Sequence, residues 1–248
     1  MWASSDAMAD KAAIVIGAGD ALGGAIARRF AREGFAAVIV RRHADQLEPL
    51  AQAIRDAGGE AHAFGIDARK EEEMVALFDR VEAEIAPVEV CVFNIGANVN
   101  FPIAETTARV FFKVWEMACF AGFLAGREAA VRMTPRGRGT VIFTGATASV
   151  RGREGFAAFA SAKHGLRAVA QSMARELGPK GIHVAHTIID GAIDTAWIAE
   201  NFPARYKLKS EDGILNPEHI ADAYWTLHAQ PRDAWTHELD LRPWMEAW

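Results

Sequence analysis

The sequence is poor in cysteine, and no hydrophobic run in it is long enough to span a membrane. Two cysteines occur among 248 residues, and both stand in apolar surroundings typical of buried free thiols in a reducing compartment. No stretch approaches about 18 consecutive apolar residues, so no transmembrane helix is expected. Residues 1–10 lack the charged start and apolar core of a signal peptide. We therefore expect a cytoplasmic protein that begins with a loose tail over residues 1–10.

A strong excess of one charge is absent as well. The formal net charge is −5 and the basic residues are scattered, which argues against nucleic acid or an anionic membrane surface as a partner. The chain also lacks internal repeats, low-complexity tracts and linkers, and no metal-binding pattern is evident. Half of its residues, 51%, are apolar, which is ordinary for a globular protein. The economical prediction is one domain over residues 11–248.

Short apolar runs alternate with longer segments of helical periodicity. The runs cover residues 12–17, 36–41, 88–93, 139–144 and 183–189, and a less apolar one covers residues 60–65. The helical segments cover residues 22–33, 46–57, 71–85, 110–133 and 155–177, and left-handed glycines are expected to end three of them at Gly34, Gly58 and Gly178. Buried strands that alternate with helices predict a parallel sheet covered on both faces, an α/β doubly wound fold of Rossmann type. Ligands of such folds bind at the carboxyl ends of the strands.

The first predicted strand runs directly into a cluster of glycines. Gly17, Gly19 and Gly23 permit a sharp turn and a close approach of the backbone to a pyrophosphate. The helix that begins near Leu22 offers free N–H groups to the same anion. Glycines often make only turns, but a cluster between the first strand and the first helix of a βαβ unit predicts a dinucleotide site. Asp20 lies inside this turn.

The end of the second predicted strand bears on the choice of cofactor. NAD sites usually place an acidic residue there for the ribose hydroxyls, whereas this chain has Arg41 and Arg42. Two guanidinium groups suit a 2′-phosphate, which they can grip with paired hydrogen bonds; the alternative is two solvated arginines. The Asp20 carboxylate is a possible source of repulsion for that phosphate. On balance we expect NADP(H) rather than NAD(H).

With these motifs the sequence resembles the short-chain dehydrogenase/reductase family from Lys11 to about Leu241. The family's glycine turn is matched with Ala21 in place of its middle glycine. The resemblance implies an NAD(P)-dependent oxidoreductase. It also implies cofactor contacts after the third, fourth and sixth strands, at Asp67, Ala68, Asn94, Gly96, Gly191, Ile193 and Thr195.

The resemblance also locates the family's four catalytic positions, and three of them carry a different residue here. The family uses a Tyr and a Lys four residues apart on one helix, a Ser at the preceding strand end, and an Asn in the long helix before it. Lys163 matches and is the implied catalytic residue, with a second role in holding the cofactor. Phe159 stands at the Tyr position, Ala146 at the Ser position and Cys119 at the Asn position. Thr147, next to Ala146, is a substitute hydroxyl.

These replacements limit the chemistry that we expect. Phe159 has no ionisable proton, and Ala146 cannot donate a hydrogen bond to a developing alkoxide. Loss of acid–base help typically costs about 10²–10⁴-fold in rate, so the usual alcohol–ketone mechanism is not expected in its usual form. Hydride transfer itself is carried by the cofactor. Two hypotheses follow: an NADP(H)-dependent oxidoreductase with an altered proton-transfer site, or a non-catalytic NADP(H)-binding sensor or partner subunit.

Few other side chains are candidates for the missing proton donor. Tyr206 lies in residues 196–215, which correspond to the family's mobile substrate-covering region; it either swings into the cleft or packs on the surface. Asp190 lies at the carboxyl end of a predicted strand, where it is either a proton acceptor or a turn residue. Ala146, Thr147, Phe159 and Tyr206 are the predicted substrate-pocket residues, and the substrate itself is not determined. The resemblance further implies a homodimer or homotetramer.

Overall fold

The strands of the described residues form one parallel sheet. The computed structural model describes residues 9–247, so most of the predicted tail and residue 248 lie outside the described part. The strands are β1 Ala12–Ile16, β2 Ala36–Arg41, β3 Glu60–Gly65, β4 Val88–Phe93, β5 Gly139–Thr144, β6 Ile182–Ile189 and β7 Glu238–Leu241. Their order is β3-β2-β1-β4-β5-β6-β7, and each neighbouring pair is parallel. This arrangement confirms the predicted doubly wound α/β fold.

Helices cover both faces of the sheet. They are α1 Leu22–Arg32, α2 Glu48–Asp56, α3 Glu71–Glu84, α4 Ala108–Trp115, α5 Ala121–Met133, α6 Ala157–Leu177, α7 Ala196–Asn201, α8 Pro203–Tyr206 and α9 Pro217–His228. Helices α3, α5 and α6 contribute to one hydrophobic core, and α1, α2 and α9 contribute to the other. Because successive side chains of a strand point to opposite faces, Ile14 enters the first core and Val15 the second. Within residues 9–247, no helix is both long enough and apolar enough to cross a membrane.

Two predicted helices begin or continue differently from the periodic pattern. The segment predicted as one helix over residues 110–133 is α4 followed by α5, with a π-helical turn at Glu116–Phe120 between them. The segment predicted over residues 46–57 starts as a 3-10 turn, Ala44–Leu47, before α2. Hydrophobic periodicity does not distinguish these variants, since each still directs its apolar residues to the core.

The prediction of a left-handed glycine at a helix end is wrong at one of its three positions. Gly34 and Gly58 adopt φ of 82°, as predicted. Gly178 has a right-handed φ of −53° and opens a 3-10 turn, and Gly181, with φ of 82°, takes the left-handed position instead. A methyl group on Gly181 would lie 2.2 Å from the carbonyl oxygen of Gly137. The contact with a neighbouring loop therefore places the requirement for glycine three residues later.

The strand order reverses between β1 and β4. These two strands are adjacent in the sheet but not consecutive in the chain. A crevice opens at the carboxyl ends of strands at such a reversal. The glycine turn after β1 and the loops after β4, β5 and β6 therefore border one opening, and the sheet positions every residue considered below.

Candidate active site

The glycine turn is tight at two positions and open at a third. Gly17 has φ of 92°, and a methyl group on it would lie 2.9 Å from the carbonyl group of Asn94. A methyl group on Gly23 would lie 2.4 Å from the Gly17 carbonyl oxygen. At Gly19 no atom lies within 4 Å of the corresponding position, and Gly19 lines the cleft. The turn therefore packs against β4 and α1 while it leaves room for a ligand at Gly19.

The start of α1 is suited to an anion. The residue before it, Ala21, provides no side-chain hydrogen bond to the first-turn N–H groups. Uncapped N–H groups at a helix N-terminus favour a negatively charged oxygen. The Asn94 side chain donates to the Gly17 carbonyl oxygen at 3.2 Å and holds the turn against the end of β4. The backbone here fits the pyrophosphate of a dinucleotide.

A basic hollow of about 280 Å³ lies beside the glycine turn, at the ends of β2 and β3. Its lining includes Arg41, Arg42, Asp67, Ala68 and Arg69. The Arg69 guanidinium donates from Nε to Asp67 Oδ1 at 2.9 Å. This bond lowers the pKa of Asp67 to about 2, and Arg42 contributes in the same direction. Sequence reasoning missed Arg69, although its position two residues after an Asp is a spacing that permits a local pair.

A larger cleft of about 970 Å³ continues from the glycine turn across the ends of β4, β5 and β6. The predicted residues that line it are Gly17, Gly19, Asp20, Leu22, Gly23, Asn94, Gly96, Ala146, Thr147, Phe159, Lys163, Gly191, Ile193 and Thr195. Asp20 lines this cleft and is not among the residues of the basic hollow, so its position does not support the expected repulsion of a 2′-phosphate. Tyr206 is not in the lining, and its hydroxyl accepts a hydrogen bond from Lys209 at 3.4 Å.

Lys163 is buried between the ends of two strands. Its ammonium group donates to the carbonyl oxygens of Ile95 at 3.1 Å and Thr144 at 2.8 Å. Only 2% of the residue is exposed, and this burial lowers the pKa of Lys163 to about 8. Helix α6 thus delivers a desolvated cation to the wall of the cleft.

The side chains of Phe159 and Ala146, which the sequence aligns with the family's Tyr and Ser, have no exchangeable proton. Phe159 lies one turn before Lys163 on α6, is 8% exposed, and has its ring centroid 5.9 Å from the Lys163 ammonium. The Ala146 N–H donates to Ser149 Oγ at 3.0 Å. Cys119 is buried, and burial raises the pKa of its thiol. It lies against Gly165 on α6, in agreement with the core thiol expected there.

A hydroxyl–carboxylate pair lies in the same cleft. Thr147 Oγ1 donates to Asp190 Oδ1, and Asp190 is 3% exposed. Arg151 Nη2 lies 3.3 Å from each Asp190 oxygen, and Arg242 Nη1 lies 3.7 Å from Oδ2. The pair brings together the two residues that the sequence offered separately as substitute hydroxyl and proton acceptor.

Other titratable groups lie beneath the cleft rather than in it. Burial lowers the pKa of His186 to about 4, and its Nδ1 lies 3.1 Å from Glu238 Oε2. Tyr224, which sequence reasoning passed over, is fully buried with its hydroxyl 2.8 Å from Thr144 Oγ1 and 2.6 Å from Thr187 Oγ1. Burial raises the pKa of Tyr224 to about 12. Among residues 9–247 no group of three or more His, Cys, Asp or Glu side chains is arranged to hold a metal ion.

Three comparisons place this geometry among known proteins. A solved short-chain dehydrogenase from Rhodopseudomonas palustris is 52% identical, with a TM-score of 0.82 over 95% of this chain and 99% of that one. An alcohol dehydrogenase from the archaeon Thermococcus sibiricus, complexed with 5-hydroxy-NADP, is 26% identical, with a TM-score of 0.84 over 96% and 98% of the two chains. A cis-4-hydroxycyclohexanecarboxylate dehydrogenase from Sinomonas cyclohexanicum is 30% identical over 88% of this chain and 89% of that protein.

The family model described as short chain dehydrogenase matches residues 11–205. That range includes the glycine turn, the end of β4 and the helix that carries Lys163. The chain therefore belongs to the short-chain dehydrogenase/reductase family.

Proposed function

We propose that this protein is an NADP(H)-dependent oxidoreductase that transfers a hydride to or from a small organic substrate and uses an altered proton-transfer site. The observation that carries the proposal is one continuous cleft. It is lined by the glycine turn, by Lys163 and by the Thr147–Asp190 pair. When bound, the nicotinamide cofactor accepts or supplies the hydride. The protein's own residues bind it, orient it and move the accompanying proton.

The basic hollow supports NADP(H) as the cofactor. Arg41, Arg42 and Arg69 line it, and the acidic side chain among them, Asp67, already pairs with Arg69. Guanidinium groups bind phosphate with paired, charge-assisted hydrogen bonds. A 2′-phosphate would therefore find at least one arginine available. The archaeal alcohol dehydrogenase solved with 5-hydroxy-NADP is consistent with the same preference.

Lys163 is suited to hold the cofactor's ribose. An ammonium group has three N–H donors, and two of them are engaged by the carbonyl oxygens of Ile95 and Thr144. The third remains for a ribose hydroxyl at the wall of the cleft. Because two backbone bonds fix the ammonium position, the third donor is oriented before the ligand binds.

The Thr147–Asp190 pair provides a route for the proton. When an alcohol is oxidised, its carbon loses a hydride and its hydroxyl loses a proton. We assign this proton to Thr147 Oγ1, whose own hydrogen passes along the existing bond to Asp190 Oδ1. Threonine stays neutral, the carboxylate becomes a carboxylic acid, and reduction of a ketone reverses the path. A hydroxyl relay of this kind replaces the Tyr that Phe159 cannot supply.

The test measures turnover and cofactor binding separately. Purified protein is mixed with NADPH and a panel of ketones, enones and imines, and the cofactor absorbance band is followed. Thr147→Val removes the hydroxyl with little change in volume, and we expect turnover to fall about 10²-fold, the lower range for loss of a proton-transfer group. The NADPH dissociation constant should stay unchanged.

The matched control is Thr226→Val, an exposed residue of α9 whose hydroxyl donates, among the described residues, only to the Asp222 carbonyl oxygen. This variant should turn over substrate at the wild-type rate. Equal rates for wild type and Thr147→Val would contradict the proposed relay. NADPH binding without turnover on any substrate class would contradict the oxidoreductase itself.

That last outcome would support a second function, a non-catalytic NADP(H)-binding sensor or partner subunit. The specific observation in its favour is the pair of positions Phe159 and Ala146, which line the cleft and have no exchangeable side-chain proton. In that case cofactor binding alone would be the property that the protein uses.

We also propose a homodimer or homotetramer that pairs through α4 and α5. Phe112, Trp115, Phe120 and Phe123 form a ladder of stacked rings with centroids 6.1–6.3 Å apart, and Phe112 is 58% exposed. Exposed aromatic patches typically mark protein interfaces. Light scattering should give two or four subunits, and Phe112→Glu should yield monomers. A monomeric wild-type protein would contradict the proposal.

A further inference from the structure

The loop between β5 and α6 contributes two arginines to the lining of the cleft, Arg151 and Arg153. The other charges that line the cleft have partners in most cases: Arg205 pairs with Glu246, and Lys163 is held by backbone carbonyl oxygens. The Arg153 guanidinium makes no hydrogen bond or ion pair with any described residue. Arg153 is exposed and lines the cleft, so its guanidinium is available to an anion that enters the cleft.

Arg151 also has N–H donors that make no hydrogen bond to Asp190. Its contacts with Asp190 are made by Nη2 alone, and 42% of its side chain is exposed. A guanidinium carries five N–H donors, so Nε and Nη1 stay available to a ligand. The remaining acidic side chain in the lining, Asp20, belongs to the glycine turn.

The loop that carries both arginines is held by backbone hydrogen bonds. The Arg151 N–H donates to the Thr147 carbonyl oxygen at 3.2 Å, and the Phe156 N–H donates to the Arg153 carbonyl oxygen at 3.0 Å. The Gly155 carbonyl oxygen accepts from the Phe101 N–H at 2.8 Å. A loop fixed in this way loses little conformational freedom when a ligand binds. The backbone positions of both arginines are therefore fixed before a ligand binds.

Apolar side chains surround the same space. Phe156, Phe159, Trp197 and Phe202 all line the cleft. We propose that the substrate is a hydroxy acid or oxo acid with an apolar body, and that Arg151 and Arg153 bind its carboxylate. This inference rests on the proposed function for the reacting alcohol or ketone, but the anion site can be tested without turnover.

The binding test uses an unreactive pair of probes with the full-length protein saturated with NADP⁺. By calorimetry, 4-phenylbutanoate should bind about tenfold to a hundredfold more tightly than 4-phenylbutanamide, the range that a hydrogen-bonded charge supplies. Arg153→Gln should bring the two affinities within about threefold of each other and leave NADP⁺ binding unchanged.

Arg175→Gln is the matched control, because Arg175 is exposed on α6, donates to the Gln171 carbonyl oxygen of its own helix and does not line the cleft. It should preserve the preference for the acid. Equal binding of acid and amide to wild type, or equal loss in both arginine variants, would overturn the inference. Tighter binding of 3-phenylpropyl phosphate than of the carboxylate would overturn the assignment of carboxylate as the ligand group.

A kinetic arm separates this inference from the proposed function. The probe is 4-oxo-4-phenylbutanoate with NADPH, compared with its primary amide. A preference for the acid in kcat/KM that Arg153→Gln removes supports both ideas. Tighter binding of the acid without any turnover supports the anion site and contradicts the hydride transfer.

Discussion

The two halves of the cleft differ in what they require from the sequence. On the side of β1, β2 and β3, the glycine turn and the start of α1 offer backbone groups, and the family pattern is nearly intact. On the side of β5 and β6, the proposed function depends on side chains, and the resemblance aligns Phe159 and Ala146 with the family's Tyr and Ser. Backbone geometry at Gly17 is enforced by packing against Asn94, whereas a side chain that faces the cleft can change without loss of the fold. The glycine turn is therefore tied to the fold, whereas the chemistry at the other end depends on individual side chains.

The largest expected effect comes from restoring the substrate half. The double variant Phe159→Tyr with Ala146→Ser supplies a phenol next to Lys163 and a hydroxyl at the end of β5. Introduced together with Thr147→Val, which removes the proposed relay, the two changes should raise the reduction of simple ketones by NADPH about 10²–10⁴-fold, the usual contribution of a positioned acid. Initial rates with an unactivated ketone measure the gain. Unchanged rates, with NADPH binding intact, would show that more than these two groups is missing.

Lys163 provides the next largest effect, through the pH dependence of stability. Burial lowers its folded pKa from 10.5 to about 8, so between these values the unfolded chain binds more protons than the folded one. The free energy of unfolding therefore rises with pH across pH 8–10.5, by about 3 kcal/mol from this group. Urea denaturation gives the free energy of unfolding of wild type and of Lys163→Met at each pH. The difference between the two proteins isolates the contribution of Lys163.

Lys180→Met is the control for that measurement, since Lys180 is an exposed lysine outside the site. Its pH profile should parallel that of wild type. A difference between wild type and Lys163→Met that does not change with pH would contradict a lowered pKa for Lys163.

A smaller effect is expected when the cofactor half is broken at Gly17. Gly17→Val forces a branched side chain into a left-handed conformation, which costs about 1–3 kcal/mol of stability, and moves the turn away from Asn94. NADPH binding should be lost, as measured by fluorescence titration together with chemical denaturation. Gly19→Ala is the control for stability, because its methyl group meets no protein atom within 4 Å. Wild-type NADPH affinity in Gly17→Val would contradict this account of the turn.

Arg42→Gln should have the smallest of the four effects, and it tests how the cofactor half distinguishes NADPH from NADH. Removing one phosphate partner should weaken NADPH binding about tenfold to a hundredfold and leave NADH binding nearly unchanged. Arg175→Gln again serves as the control, with both affinities at wild-type values, since Arg175 lines neither the cleft nor the basic hollow. Equal affinity of the wild-type protein for NADH and NADPH would show that the basic hollow does not select the cofactor.

The fold was predictable from local patterns because buried parallel strands are continuous apolar runs. Residues 36–41, 60–65, 88–93 and 139–144 are strands with the predicted bounds. The π-helical turn at Glu116–Phe120 was not predictable, because it depends on packing against α6. The shift from Gly178 to Gly181 was not predictable either, because it depends on the contact between Gly181 and the Gly137 loop. Such contacts join residues far apart in the chain, and no local periodicity records them.

The candidate site divides in the same way. By itself the sequence determined the glycine turn, the arginines after β2 and the lysine on α6, since each is a residue type at a set spacing within one segment. The alignment of Phe159 and Ala146 with the family's Tyr and Ser stays a prediction from the resemblance. Only the tertiary structure decided that Thr147 donates to Asp190, 43 residues later. It also decided that Arg69 donates a hydrogen bond to Asp67, and that Tyr224 is buried under the cleft rather than in it. The physical reason is that a parallel sheet brings together the ends of strands that are distant in sequence. Strand order and register then decide which side chains meet there.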